Sequence, residues 1–129
     1  HHNLTAQQVQ QRKARYPDAL FLAHPECRPE VLDLADVVES TSGMLRYVTE
    51  SAHESFIIGT EEGILYPMRR GNPNKNFYPA SDSLICSNMK KTTLNDVVHS
   101  LETLQPRITV PEEIRVRALD AVEKMLAVS

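Results

Sequence analysis

The sequence predicts an α/β fold: a three-layer α-β-α unit around a small, mostly parallel sheet, followed by C-terminal helices. Three observations predict it. The runs Ala19-Leu20-Phe21-Leu22-Ala23 and Phe56-Ile57-Ile58-Gly59 are continuously apolar, the pattern of strands buried on both faces. Helix and strand patterns alternate about every twenty residues, as right-handed parallel crossovers require. The strand-like runs also give way to polar turns suited to starting helices.

In chain order, Thr5 caps a helix to Arg15, with Gln8 placed for a capping box and Pro17 closing it. The buried run 19–23 follows, and Pro29 then opens a helix through about Ala35. Asp36-Val37-Val38-Glu39 is a second, weaker strand. Ser40-Thr41-Ser42-Gly43 caps a helix whose Met44, Leu45, Val48 and Ala52 share a face. After the strand 56–59, Thr60-Glu61-Glu62-Gly63 opens a helical stretch from Ile64 to Arg70 that Pro67 should kink or shorten. Gly71 to Asn76 is turn chemistry, and Phe77-Tyr78-Pro79 is briefly extended. Cys86 is expected in a turn ahead of a helix that Thr92 or Thr93 caps, with Leu94, Val97, Val98, Leu101 and Leu104 at helical spacing. Pro106 breaks the chain, Ile108-Thr109-Val110 is extended, and Pro111-Glu112-Glu113 begins a final helix to about Val128. The expected division is an α/β domain over 1–92 and C-terminal helices over 93–129.

Composition excludes several classes. With 24% charged residues and a net charge of -3, the 129-residue chain lacks the basic footprint of a nucleic-acid binder. Aromatics at 5% and no tryptophan argue against a stacking platform. No apolar run is long enough to cross a bilayer and no leader pattern is present, so a cytoplasmic location is expected. Two cysteines make no disulfide framework, and without a C-x-x-C pair a self-contained zinc site is not expected. The chain opens His1-His2-Asn3 without methionine, which fits a tag remnant or a piece of a longer protein.

In parallel sheets ligands bind beyond the carboxyl ends of strands. The turns expected there are His24-Pro25-Glu26, Ser40-Thr41-Ser42, Thr60-Glu61-Glu62 and Cys86-Ser87-Asn88. His24 and Glu26, two residues apart at a strand end, can serve as general acid and base, facing one side if the chain stays extended. Ser40 and Thr41 are first of all helix caps, but a helix N-terminus also receives carboxylate or phosphate. Glu61 and Glu62 are most simply acids facing a helix dipole. Cys86, near Lys90, Lys91 and a helix start, is placed to be a thiolate, whereas a lone cysteine is ordinarily a small buried apolar residue.

Taken jointly, His24-Pro25-Glu26-Cys27, Ser40-Thr41-Ser42, Gly59-Thr60-Glu61 and the run Cys86 to Leu94 resemble the carboxyl-terminal part of the quinolinate synthases. The resemblance implies an enzyme that condenses iminoaspartate with dihydroxyacetone phosphate into quinolinate for NAD biosynthesis. It implies a 4Fe–4S cluster on three cysteines whose open iron acts as a Lewis acid. Cys86 would be the last ligand, His24 and Glu26 would belong to the catalytic pocket, and Ser40 and Thr41 would bind a substrate carboxylate or phosphate. Glu61 and Met89 lie in family motifs without an assigned role, and Cys27 matches no cluster position. A complete member is more than twice as long, with three similar α/β domains, so the C-terminal helices here would pack on another domain. The middle cluster cysteine would fall just before His1. One thiolate does not hold such a cluster, so the 129 residues alone are expected to be inactive and cluster-free. Expected partners are the two substrates, the rest of the parent chain and the enzyme supplying iminoaspartate, with no nucleic acid or membrane. Three rival readings stand: a non-catalytic module gripping an anion through His24, Ser40 and Thr41, a plain structural fragment, and an enzyme using Cys86 as nucleophile with His24.

Overall fold

A computed structural model describes residues 1–128. They fall into two units, His1–Asn88 and a second beginning at Met89.

In the first unit, helix α1 (Ala6–Arg15) starts at a capping box. Thr5 Oγ1 accepts from the Gln8 amide at 3.3 Å, and Gln8 Oε1 accepts from the Thr5 amide at 3.0 Å. The four strands β1 (Leu20–Ala23), β2 (Val37–Val38), β3 (Ser55–Gly59) and β4 (Asn76–Pro79) form one sheet in the order β2-β1-β3-β4. Every pairing is parallel, which explains why β1 and β3 read as unbroken apolar runs: helices cover both faces.

Strand alternation divides the core into two layers. Phe21, Ala23 and Ile57 pack with Leu4, Val9 of α1 and Val31 of α2 (Pro29–Leu32). Leu22, Phe56, Ile58 and Phe77 pack on the other side with Met44 and Val48 of α3 (Thr41–Glu50) and Met68 of α4 (Leu65–Gly71). Phe21, Phe56, Leu22 and Met44 are fully buried, each contributing about 1.5–3 kcal/mol of transfer free energy. This is the three-layer α-β-α unit that the pattern predicts.

Several elements differ in extent from expectation. Helix α2 ends at Leu32 rather than Ala35, because the Leu34 and Ala35 amides bond three residues back in a tightened turn. Strand β2 keeps only Val37 and Val38: the Asp36 amide still donates to the Phe21 carbonyl at 2.9 Å, but the Phe21 amide goes to the Asp36 carboxylate at 2.7 Å, which also accepts the Lys13 ammonium at 3.0 Å. Pro67 kinks nothing: a 3₁₀ turn over Glu62–Ile64 precedes α4, so the proline falls in the first turn, where its missing N–H costs no bond.

The second unit holds α5 (Leu94–Thr103) and α6 (Glu112–Leu126). Thr93 and Asp96 form a second capping box, a pair the sequence reading did not single out. Leu104 ends α5 in the left-handed conformation at φ 54°. The expected extended piece at Ile108–Val110 pairs with no strand. No side chain from 101 to 128 is buried.

Candidate functional site

Parallel strands place their carboxyl ends on one edge, and the register makes three exits level. Ala23 of β1 pairs with Val38 of β2 and with Gly59 of β3. The ladder runs one step further, with the His24 amide donating to the Gly59 carbonyl at 3.4 Å and the Glu39 amide to the Ala23 carbonyl at 3.1 Å. The turn His24–Cys27, the Glu39–Thr41 junction and Thr60–Glu61 therefore share one sheet edge.

At the first exit the chain turns instead of staying extended. The Cys27 amide donates to the His24 carbonyl at 2.9 Å, and the Glu26 amide donates to His24 Nδ1 at 3.2 Å. With that ring nitrogen an acceptor, a neutral His24 carries its proton on Nε2 and is a donor toward a ligand. His24 and Glu26 are thus brought together by a turn, where an extended chain was expected to align them.

His1 completes the cluster. Its ring stacks on that of His24 with centroids 4.2 Å apart and planes at 21°. Its Nε2 lies 3.8 Å from Glu26 Oε2, and its Nδ1 lies 3.1 Å from Thr60 Oγ1. Donor atoms of His1, His24 and Glu26 all fall within 4.8 Å of one another. Sequence reasoning missed His1 and Thr60 as neighbours, because they are 59 positions apart and no local pattern joins them.

At the second exit Ser40 is the N-cap of α3, its Oγ accepting from the Gly43 amide at 3.1 Å. Thr41 is exposed in the first turn. The Glu39 carboxylate is already folded over this turn: a Cβ on Gly43 would meet Glu39 Oε2 at 2.0 Å. An anion arriving here has to displace that carboxylate or approach beside it.

At the third exit Thr60 and Glu61 are buried, at 4% and 8% exposure. Glu61 Oε2 accepts from the Gly63 amide at 2.7 Å, capping the 3₁₀ turn as a first-turn acid would.

The two cysteines differ. Cys27 is buried, and its thiol donates to the Gly59 carbonyl at 3.3 Å. Burial raises its pKa, only partly offset by the backbone hydrogen bond at His24, so it stays a thiol at neutral pH. Cys86 is half-buried, in the loop after β4. It lies neither at a strand end nor directly before a helix. The residues from Ser87 to Thr92 form turns and bends before α5 begins at Leu94, so Cys86 precedes the expected helix without adjoining it. One accessible thiol fits one ligand position of an iron–sulfur cluster, and the described residues offer no second.

The family described as quinolinate synthetase A protein matches residues 1–127. The match begins at the first residue, so His1 and His2 lie inside it. Among curated relatives, the quinolinate synthase of Thermodesulfovibrio yellowstonii is 48% identical over 126 residues, covering 98% of this chain and 42% of the relative. That of Pelobacter propionicus is 52% identical over 128 residues, covering 99% and 42%. That of Methanoregula boonei is 53% identical over 127 residues, covering 98% and 42%. The chain thus spans about 42% of the length of these relatives.

Proposed function

This chain belongs to the quinolinate synthetase A protein family, and on that premise we propose that it is the carboxyl-terminal part of a cytoplasmic quinolinate synthase serving NAD biosynthesis. The parent condenses iminoaspartate with dihydroxyacetone phosphate. The 129 residues supply one α/β unit and the helices that pack on another domain, while the rest of the parent chain supplies the remaining pocket. The enzyme that delivers iminoaspartate is a candidate partner of the whole protein.

The observation that carries this reading is the convergence of His24, Glu26, His1 and Thr60 at one sheet edge. Condensation and dehydration require protons to be removed from carbon and delivered to oxygen. His24, with Nδ1 occupied by the Glu26 amide, offers its Nε2–H to a substrate oxygen. Glu26, whose side chain is 74% exposed, accepts the proton leaving carbon. Ser40 and Thr41 receive a substrate carboxylate or phosphate at the start of α3, where first-turn amides lack intrahelical acceptors. Cys86 contributes one thiolate to a 4Fe–4S cluster whose other ligands come from the rest of the parent, and the cluster, when bound, supplies a Lewis-acidic iron.

The test is anaerobic cluster reconstitution of the full-length protein, with intact mass recorded, followed by quinolinate assay. His24→Asn and Glu26→Gln should each lower kcat by about 10²–10⁴-fold with iron content unchanged, while Cys86→Ala should abolish the broad visible cluster band. The 129-residue chain alone should hold no cluster and make no quinolinate. Normal turnover in Glu26→Gln would overturn the assignment of the base. Retained anion binding without iron in the full-length protein would favour the non-catalytic module instead.

A further inference from the structure

The structure assigns Glu61 a role that its motif left open: it positions Cys86, by shaping the short turn to which the Cys86 loop is tied. Cys86 stands in the loop after β4, two residues beyond Leu84 and next to Ile85, which is 55% exposed. Every residue from 87 to 92 is exposed as well. What fixes this thiol in space therefore acts through the segment before it.

The sheet holds that segment as far as Ala80, whose amide donates to the Ile58 carbonyl at 3.0 Å. Beyond it, two ties reach the segment among the described residues. On one side the Arg12 guanidinium of α1 bonds the Asp82 carboxylate. The Asp82 side chain is 89% exposed, and water leaves so open an ion pair little net worth. On the other side the Glu62 amide donates to the Leu84 carbonyl at 2.9 Å. Leu84 is buried in the layer that holds Leu4 and Val9. A backbone bond to a buried residue is screened far less, so the tie to Glu62 governs the loop.

Glu61 decides where the Glu62 amide lies. It is the N-cap of the 3₁₀ turn Glu62–Ile64, with Oε2 accepting the Gly63 amide at 2.7 Å and its carbonyl accepting the Ile64 amide at 3.3 Å. Both bonds close around the peptide unit that carries the Glu62 amide. A 3₁₀ turn of three residues has poor hydrogen-bond geometry of its own. Without the carboxylate the Gly63 amide loses its acceptor, the turn loosens, and the Glu62 amide leaves the Leu84 carbonyl. Glu61 is 8% exposed, so its side chain is held within the fold. The cap needs an acceptor oxygen and no charge, a demand that a glutamine amide also meets.

The positioning of the thiol follows from backbone bonds and burial alone. Its consequence for a cluster, which a loosened turn would hold less firmly at Cys86, rests on the proposed function.

The test uses the full-length protein in its metal-free form. Iodoacetamide alkylation of Cys86 is timed by peptide mass spectrometry, and hydrogen exchange of the Glu62 amide is read beside it. Glu61→Ala should raise both rates about fivefold or more, with alkylation of the buried Cys27 unchanged. Glu61→Gln should restore the unmodified rates, and Asp82→Asn should leave them as they are. Unchanged rates in Glu61→Ala, a Glu61→Gln protein as reactive as Glu61→Ala, or an equal rise in Asp82→Asn each overturns the positioning role. Far-UV circular dichroism checks folding. If Glu61→Ala does not fold, the unmodified protein decides, because a Glu62 amide exchanging as fast as an unprotected one overturns the tie. The cluster is read separately: after anaerobic reconstitution, Glu61→Ala should lose iron to a chelator about fivefold faster, and equal loss overturns that consequence. A protein that takes up no cluster while Cys86 responds as described sinks the functional reading and leaves the positioning role standing.

Discussion

Gly59 closes β3 beneath the ring of Phe21. A Cβ there would stand 2.8 Å from Phe21 Cε2 and 3.0 Å from the Leu22 carbonyl. Neither neighbour can retreat, since Phe21 is fully buried and Leu22 is paired with Ile58 in the sheet. Gly59→Ala should therefore cost about 1–3 kcal/mol in chemical denaturation, in the range of core overpacking. It should also disturb the candidate site, because the Gly59 carbonyl accepts from both the His24 amide and the Cys27 thiol. Gly43 shows the contrast: the obstacle is the end of the Glu39 side chain, which can swing away. The same residue type is thus constrained by backbone and ring at one strand end and only by a movable carboxylate at the next helix start.

At the scale of elements, caps decide where helices begin. Thr5, Ser40 and Thr93 each accept an amide hydrogen from the residue three positions on. In α5 the cap carries a pH dependence. The Thr93 hydroxyl, and after it the Thr93 amide, bonds the Asp96 carboxylate and holds its pKa below the ordinary aspartate value. A depressed carboxyl stabilises the fold above its unfolded pKa, and the contribution disappears as pH falls through the lower folded value. Helix content from α5 should accordingly decline on acidification below about pH 4. Thr93→Ala should flatten that part of the profile in far-UV circular dichroism. An unchanged profile would separate the capping box from the acid response.

At the scale of the molecule, the two units are built differently. The first has two packed layers on a four-stranded sheet. In the second, Leu94, Leu101, Ile114, Leu119 and Met125 are all exposed, with Leu119 at 46%. Apolar side chains exposed in such number mark a surface made to be covered, and the relatives are more than twice the length that this chain covers. Leu119→Ala should cost under about 0.5 kcal/mol in the 129-residue chain, whereas Phe56→Ala should cost about 3–5 kcal/mol. In the full-length protein Leu119→Ala should rise to about 2 kcal/mol or more if the remaining chain covers α6. Equal small costs in both would mean that nothing packs there. Among the described residues no helix is long and apolar enough to cross a membrane.

The sequence by itself determined the fold class, the helix starts and the strands β1 and β3, because these rest on periodicity and on contacts within a few residues. It also carried the resemblance to the family that the match over residues 1–127 shows, since short runs of residues in order can be read in one dimension. The shortness of β2 and the harmless position of Pro67 were not legible, because each depends on where a neighbouring turn takes its hydrogen bonds. Only the tertiary structure decided that β1, β2 and β3 end level. It alone turned the Glu26 amide onto His24 Nδ1, and it alone stacked His1 on His24 against Thr60. Those contacts join residues up to 59 positions apart. The long-range ones exist because parallel pairing fixes one register between strands, a constraint that no local pattern of residues contains.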